Sequence, residues 1–409
     1  MKYKGLLCGV LAASMLTVPA FAADFPDTAG HWARSAIDRW SDYGIVSGYD
    51  SGDFGPDDSI TRAQMSVILD RIFGWSREAE NAFQDIQGTE WYAGAVLRAN
   101  AAGVLNGDTA GNARPNDPIT RQEAAVMLDR ALALAGEEPG KTFADDGEIG
   151  DWAKEAVSVL SSLGLVSGTS SGTFEPARSI TRAETLTILD RAIAGYYDRA
   201  GVYTDSVEGI LCVIAAPGVT LQNMTIDGEL LIVPGAEGSE IILNNVTVTG
   251  QTRILSGREA QILIKGESRL SAVEVAGEEG RLRLDETAEL ESLTITGSGV
   301  HVRGLAEEME VSVAEGARDV QINGHKAENG SVVQAGKDVS SDADDVKVEV
   351  EPDKEDSTSG SHGGTSKPEK PTEPEKPADP EEPEKPAGGN RDEEGNIIID
   401  FDDLMNGEQ

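Results

Sequence analysis

"ITRAETLTILDRA", residues 180–192, is written almost unchanged twice earlier in the chain. It stands as "ITRAQMSVILDRI" at 60–72 and as "ITRQEAAVMLDRA" at 119–131. Each copy opens like a helix. Thr181 with Glu184 three residues on is a capping box, Thr120 with Glu123 repeats it, and Thr61 with Gln64 is its amide version. The apolar residues that follow, such as Met65, Ile68, Leu69 and Ile72, keep a 3.6-residue period. The residue after each capping threonine breaks a local rule. Arg62, Arg121 and Arg182 place a cation where the helix dipole is already positive. Two readings stand. Arginine with free N–H groups at a helix start makes an anion site, or each arginine is a structural partner of a nearby aspartate.

The phrase sits in a longer repeat, of a kind that implies an array of similar units. Phe25, Phe83 and Phe143 open three units of about 60 residues. Each unit then carries an Asp and a Trp: Asp27 and Trp32, Asp85 and Trp91, Asp145 and Trp152. From Trp to Arg the distance is 30 residues in every copy, so the intervening geometry is fixed. A helix is expected after each Trp, ending at Gly44, Gly103 and Gly164 as a C′ glycine would. Gly48, Gly107 and Gly168 then open a loop that Pro56, Pro115 and Pro176 stiffen before the second helix. One helix–loop–helix unit buries too little area to stand alone, so the three must share a core. The Leu-Asp-Arg triplets at 69–71, 128–130 and 189–191 read as structural ion pairs.

These units resemble S-layer homology repeats, which carry an Asp–Trp opening, a central glycine pair and an ITRAE-type helix start. The likeness covers roughly residues 24–197. It implies an all-α pseudo-threefold bundle that binds secondary cell-wall polysaccharide on peptidoglycan, often pyruvylated. On that likeness Arg62, Arg121 and Arg182 read the sugar carboxylate. Asp27, Asp85 and Asp145 hold hydroxyls, and Trp32, Trp91 and Trp152 form walls. Copy one departs from the pattern at Gln64 and copy two at Gln122, and the Asp-to-Trp gap grows from 5 to 6 to 7 residues. At least one groove is therefore expected to be altered.

Residues 1–22 read as a signal peptide. Lys2 and Lys4 precede an apolar run from Leu6 to Val18, and Ala20-Phe21-Ala22 is a cleavage signal. The mature chain then keeps one cysteine, Cys212, and its stability rests on burial alone. With 34 basic and 72 acidic residues, a net charge of −38, the surface repels nucleic acid and anionic membranes. No later segment is long and apolar enough to insert in a membrane.

From about residue 204 the pattern changes. Short β-prone runs (224–226, 246–248, 273–275, 293–295, 320–322) are each followed by a glycine, at 228, 250, 277, 297 and 324. Their spacing of 20 to 27 residues suggests a parallel β-solenoid, with Asn223, Asn244 and Asn245 as a short ladder. An antiparallel sandwich is the rival. A sugar-cleaving solenoid needs clustered carboxylates and aromatic platforms. Here Asp227, Asp285 and Asp319 are scattered, and no Phe, Trp or Tyr occurs between 204 and 400. His301 and His325 are isolated, and no metal, cofactor or nucleophile motif is present.

The expected organisation is thus multidomain: a signal peptide (1–22), three repeats over 24–200 (24–80, 81–141, 142–200), a β-solenoid over 201–340 and a disordered acidic tail over 341–409. The tail holds 22 acidic and 7 basic residues and a Pro/Glu/Lys-rich segment. An apolar island at 395–404 reads as a loose end or as a docking strand. The expected function is non-enzymatic, surface-bound display of the solenoid. The alternatives are a polysaccharide-degrading enzyme with a β-helix catalytic domain, and a lattice subunit.

Overall fold

In the computed structural model, residues 24–134, 140–233, 240–255, 257 and 260–336 are described. The signal peptide and the acidic tail, with its apolar island, lie outside them. The described residues open with six α-helices: α1 (Arg34–Asp42), α2 (Arg62–Phe73), α3 (Ala93–Ala101), α4 (Arg121–Leu132), α5 (Lys154–Ser162) and α6 (Arg182–Ala192). All three capping boxes form in both directions, on Thr61, Thr120 and Thr181. Gly44, Gly103 and Gly164 take the left-handed conformation just after α1, α3 and α5, with φ of 69°, 73° and 70°. That conformation costs a side-chain-bearing residue more than glycine.

Backbone hydrogen bonds close the three units into a ring. Ile119 N–H donates to the Ile60 carbonyl (2.9 Å), Ile180 N–H to Ile119 (3.1 Å), and Ile60 N–H to Ile180 (3.2 Å). All three isoleucines are buried. A ring of this kind needs all three repeats. The loop glycines complete the packing: a Cβ at Gly48, Gly107 or Gly168 would run into the ring of Phe25, Phe83 or Phe143, the residue that opens the same unit.

The Leu-Asp-Arg aspartates link neighbouring units around this ring. Asp70 of the first unit bonds Arg98 of the second (2.7 Å), and Asp190 of the third bonds Arg39 of the first (2.9 Å). At the remaining junction Val159 stands where Arg39 and Arg98 stand in the other copies. Burial and the nearby Glu155 push the Asp129 carboxyl above its usual range there.

Helix α6 runs directly into β1 (Ile193–Tyr197), inside the span read as the third repeat. The strands continue as β2 (Gly201–Tyr203), β3 (Val207–Ile214), β4 (Val219–Ile232), β5 (Glu240–Ile254), β6 (Gln261–Lys265), β7 (Arg269–Val275), β8 (Arg281–Leu284), β9 (Glu289–Ile295), β10 (His301–Arg303), β11 (Glu310–Val313), β12 (Gln321–Ile322), β13 (His325–Lys326) and β14 (Ser331–Gln334). They form a β-solenoid of about six turns. Parallel pairing runs throughout, which excludes the antiparallel sandwich. The exceptions are β12–β13 and β11–β14, antiparallel pairs at the C-terminal end of the solenoid.

Two stacks result. One carries β2, the first part of β4 and β5, then β6, β8, β10 and β12. The other carries β1, β3, the second part of β4 and β5, then β7, β9 and β11. Apolar residues stack in register through the inside. Ile214, Ile232, Ile254, Val275, Ile295 and Val313 form one buried column, and Leu221, Leu243, Ile264 and Leu284 another.

Of the glycines that end the β-prone runs, Gly228 and Gly250 sit inside β4 and β5 at breaks in their register, Gly277 and Gly297 lie between strands of the two stacks, and Gly324 joins β12 to β13. A Cβ at Gly228 would collide with the Gly209 carbonyl, and one at Gly250 with that of Gly228. The asparagine ladder is short: Asn245 Nδ2 donates to Asn223 Oδ1 at 2.8 Å, both residues being left-handed.

The first coils of the solenoid pack onto the bundle core, while the solenoid interior forms a second core of its own. Leu211, Val213, Leu231 and Val233 pack into the helical cluster. Tyr196 donates to the Ile72 carbonyl at the end of α2 (3.2 Å), and Arg253 of β5 to the Leu132 carbonyl at the end of α4 (2.8 Å).

Candidate functional site

The arginine of each repeat reaches across to the next unit in the ring. Arg62 Nε donates to the Ala113 carbonyl (2.8 Å) and its terminal nitrogen to Asn106 (3.0 Å). Arg121 does the same to Phe174 (2.9 Å) and Ser167 (3.4 Å). Arg182 closes the ring onto Phe54 (3.0 Å) and Ser47 (2.9 Å). The side chains are buried, Arg182 to 2% exposure. Aromatic rings cover two of the guanidinium groups: Arg182 lies 4.2 Å from the Phe54 centroid and Arg121 4.9 Å from that of Phe174.

The aspartates hold the same three residues from the other side. Asp27 accepts the N–H groups of Phe54 (2.8 Å) and Gly55 (2.7 Å). Asp85 accepts those of Ala113 (2.8 Å) and Arg114 (2.7 Å), and Asp145 those of Phe174 (2.6 Å) and Glu175 (2.7 Å). Phe54, Ala113 and Phe174 thus each give their N–H to the aspartate of their own unit and their carbonyl to the arginine of the preceding one. The result is a clamp repeated three times around the ring.

The electrostatics follow from burial. Desolvation pulls Arg62 and Arg121 below the usual arginine range, while Glu123 and Glu184 at 3.4 and 3.3 Å work against it. The position corresponding to those glutamates in the first copy is Gln64, which carries no charge. Burial pushes Arg182 down to about 10, against the pull of Tyr49, Asp58 and Asp27. For Asp145, burial works upward, but the amides of Phe174 and Glu175 hold the carboxyl below its usual range.

The helix starts do not offer free N–H groups, and this corrects the anion-site argument. Arg62 and Ala63 N–H donate to the carbonyls of Asp117 and Pro115, Arg121 and Gln122 to those of Arg178 and Pro176, and Arg182 and Ala183 to those of Asp58 and Pro56. The third N–H goes to the capping threonine. Beside Arg121 the crevice holds about 10 Å³, too little for a sugar.

The tryptophans are placed differently. Trp32, Trp91 and Trp152 are 62%, 43% and 58% exposed, whereas Trp40, Phe54 and Phe174 of the same bundle are buried. Sequence alone favours burial for a Trp before a helix, so exposure at three equivalent positions is informative. Each sits at a rim. The His31 ring packs against Trp32 at 5.2 Å and its Nε2 lies 3.4 Å from Asp57 in the loop after Pro56. Gly150, two residues before Trp152, donates its N–H to Gln122 Oε1 of the preceding unit (3.0 Å). Gln122, the departure noted in copy two, therefore fills space between the second and third units. The arginines hold the loops from inside, whereas Asp27 is exposed and Asp85 and Asp145 half-buried, beside tryptophans that stand out to solvent.

Comparison with known proteins agrees with this architecture. The S-layer homology domain family matches residues 24–66, 82–125 and 142–186. An amylopullulanase of Thermoanaerobacterium thermosulfurigenes is 33% identical over 40% of this chain and 9% of its own length. The exoglucanase XynX of Acetivibrio thermocellus is 35% identical over 40% of this chain and 16% of its own. The S-layer protein EA1 of Bacillus anthracis is 32% identical over 50% of this chain and 25% of its own. This chain thus spans a quarter or less of each of these relatives, and the two enzymes share only the repeat region with it. The chain carries three S-layer homology domains, the mark of cell-surface attachment. Among the described residues no helix is long and apolar enough to cross a membrane.

Proposed function

We propose that these three S-layer homology domains hold the chain non-covalently to secondary cell-wall polysaccharide, and that the chain displays its solenoid there without catalysing a reaction. The observation that carries the reading is the exposure of Trp32, Trp91 and Trp152 at equivalent rims. Exposed rings are the natural platforms for the apolar faces of sugars. The Asp27–Arg182, Asp85–Arg62 and Asp145–Arg121 clamps fix the loops beside those rims, so that little ordering entropy is lost on binding. A pyruvylated or otherwise anionic sugar would meet the polar rim rather than the buried guanidinium groups.

The non-enzymatic part of the reading rests on Asp227, Asp285 and Asp319, each of which has a local task. Asp227 accepts from Thr249, Asp285 caps the Thr287 turn and binds Gly266 N–H, and Asp319 lies near Lys326. The enzymes among the relatives keep a surface-glycan-degrading alternative in view. It is separated by screening the whole chain for turnover of wall and plant glycans.

Retention on native sacculi, compared with sacculi stripped of their secondary polymer, tests the anchoring. Replacing all three tryptophans by alanine should abolish retention while leaving the melting temperature unchanged. Each ring should contribute up to about tenfold. Full retention by the triple variant would defeat the assignment.

A further inference from the structure

The stack that carries β5, β6 and β8 turns a mixed apolar and basic face outward. Strand alternation sends Ile241, Leu243, Ile262, Ile264, Leu282 and Leu284 inward and leaves Ile242, Leu263, Lys265, Arg281 and Arg283 facing out. Ile242 and Leu263 are partners in register, and Leu263 in turn stands beside Arg283. Both aliphatic side chains are half-buried, and neither belongs to the bundle core or to the solenoid core. The bundle core takes up Leu211, Val213, Leu231 and Val233, which lie on the other stack. Among the described residues Lys265, Arg281 and Arg283 form no ion pair, whereas His301 and Arg303, next in register, have partners of their own. An outward aliphatic pair beside three unpaired cations, on a chain of net charge −38, fits a surface that something anionic and apolar covers.

The chain itself carries that complement. Residues 399–404, "IDFDDL", lie outside the described residues and set three aspartates against the three cations. Ile399 and Phe401 are two apart, so an extended segment carries both on one side. Phe401 is the only aromatic residue after Tyr203. The described chain ends on the same side of the solenoid: Asn323 Nδ2, just after β12, donates to the Gly336 carbonyl at 2.8 Å. From β12 through β10 and β8 to β6 is three strand spacings, about 15 Å. The 62 residues from 337 to 398 reach about 200 Å when extended, far more than this distance asks. A tether of such length holds its end at an effective concentration on the order of a millimolar. The net charge repels a second copy, so the match favours the segment of the same chain.

We propose that residues 399–404 dock on this face of their own chain. Ile399 and Phe401 cover Ile242 and Leu263, and the aspartates meet Lys265, Arg281 and Arg283. The docked segment shields the cations, so a free polyanion has to displace it. The proposal concerns the solenoid and does not rest on the anchoring reading.

Disulfide trapping in the full chain tests it. Gln261→Cys stands on the proposed face and Thr294→Cys on the outward side of β9 in the other stack; each is combined with Met405→Cys, the native Cys212 being buried. Under mild oxidation at about 20 mM salt, the Gln261 pair closes within one chain about tenfold faster than the Thr294 pair. Arg281→Glu with Arg283→Glu removes the difference, and adding Asp400→Lys with Asp402→Lys restores it. Ile399→Ser with Phe401→Ser, which leaves the charge unchanged, also removes it. The same pair of changes tightens binding of inorganic polyphosphate about tenfold, as expected for a face covered about nine-tenths of the time in the parent. Circular dichroism of the variants matches the parent, since Arg281 and Arg283 are exposed. Equal closure at Gln261→Cys and Thr294→Cys overturns the proposal. So does bridging that joins two copies instead of one chain, and so does polyphosphate binding that ignores the loss of Ile399 and Phe401.

Discussion

Asp27 and Arg182 grip the backbone of a single residue from opposite sides: the carboxylate takes the N–H of Phe54 at 2.8 Å, and the guanidinium takes its carbonyl at 3.0 Å. One belongs to the first unit and the other to the third. The bond between them through Phe54 therefore closes the ring. The same relation joins Asp85 with Arg62 through Ala113, and Asp145 with Arg121 through Phe174.

Arg182→Gln should unfold the bundle more easily. The substitution leaves the carbonyls of Phe54 and Ser47 without their donor, each at a cost of about 1–3 kcal/mol. The melting temperature falls, and wall binding falls with it. Arg182→Lys recovers only part, because a single ammonium cannot serve two carbonyls as a planar fork does. An unchanged melting curve for Arg182→Gln would mean that the clamp is not structural.

Val159→Arg should stabilise. It supplies, at the junction of the second and third units, the partner that Arg98 gives Asp70 and Arg39 gives Asp190. A gain of up to about 1 kcal/mol is expected at neutral pH. In the parent the Asp129 carboxyl is raised, so its ionisation weakens the fold as pH rises through that pKa. In the variant a paired carboxylate would be lowered, and the gain should vanish as pH falls through it. Melting curves at neutral and acid pH check both signs.

The junction between bundle and solenoid should loosen in alkali. Burial pushes the Cys212 thiol from 9.0 up to about 12 and raises the Tyr196 and Tyr197 hydroxyls as well. Groups with raised folded pKa values support the fold fully below their unfolded values and lose that support as pH climbs past them. For Cys212 the loss starts near pH 9 and continues to about 12. Native Cys212 should resist thiol reagents at neutral pH and react on unfolding. Rapid labelling of the native chain would contradict its burial.

Residues 201–336 expressed alone should fold poorly. That cut removes β1, the parallel partner of β3. It also uncovers Leu211, Val213, Leu231 and Val233, which the helical core buries. The fragment should bind a hydrophobic dye and aggregate with concentration. A monomeric fragment with a cooperative melt would show that the bundle is dispensable as a cap.

The sequence by itself determined the helix starts, the left-handed glycines, the three units that must share a core and the change to parallel coils. Each of these rests on near neighbours or on a repeat period: Thr181 finds Glu184 within one turn, and Gly44 meets its φ whatever surrounds it. Tertiary structure alone decided what the signature side chains do. Arg182 looked poised for an anion because its helix start, taken alone, leaves N–H groups free. Those groups are met by carbonyls of Asp58 and Pro56 from the far end of the chain. Phe54, which both Asp27 and Arg182 hold, lies 128 residues before the arginine. Trp32 and Trp40 read alike as apolar rings of one repeat. Ring closure leaves the first 62% exposed and the second fully buried, because only the packed neighbours define which side of α1 is inside. The join of α6 to β1 was hidden for the same reason. Its energy lies in apolar burial between two parts of the chain, where Leu211 and Val213 of β3 meet the helices, and no local pattern in "RAIAGYY" records partners so distant.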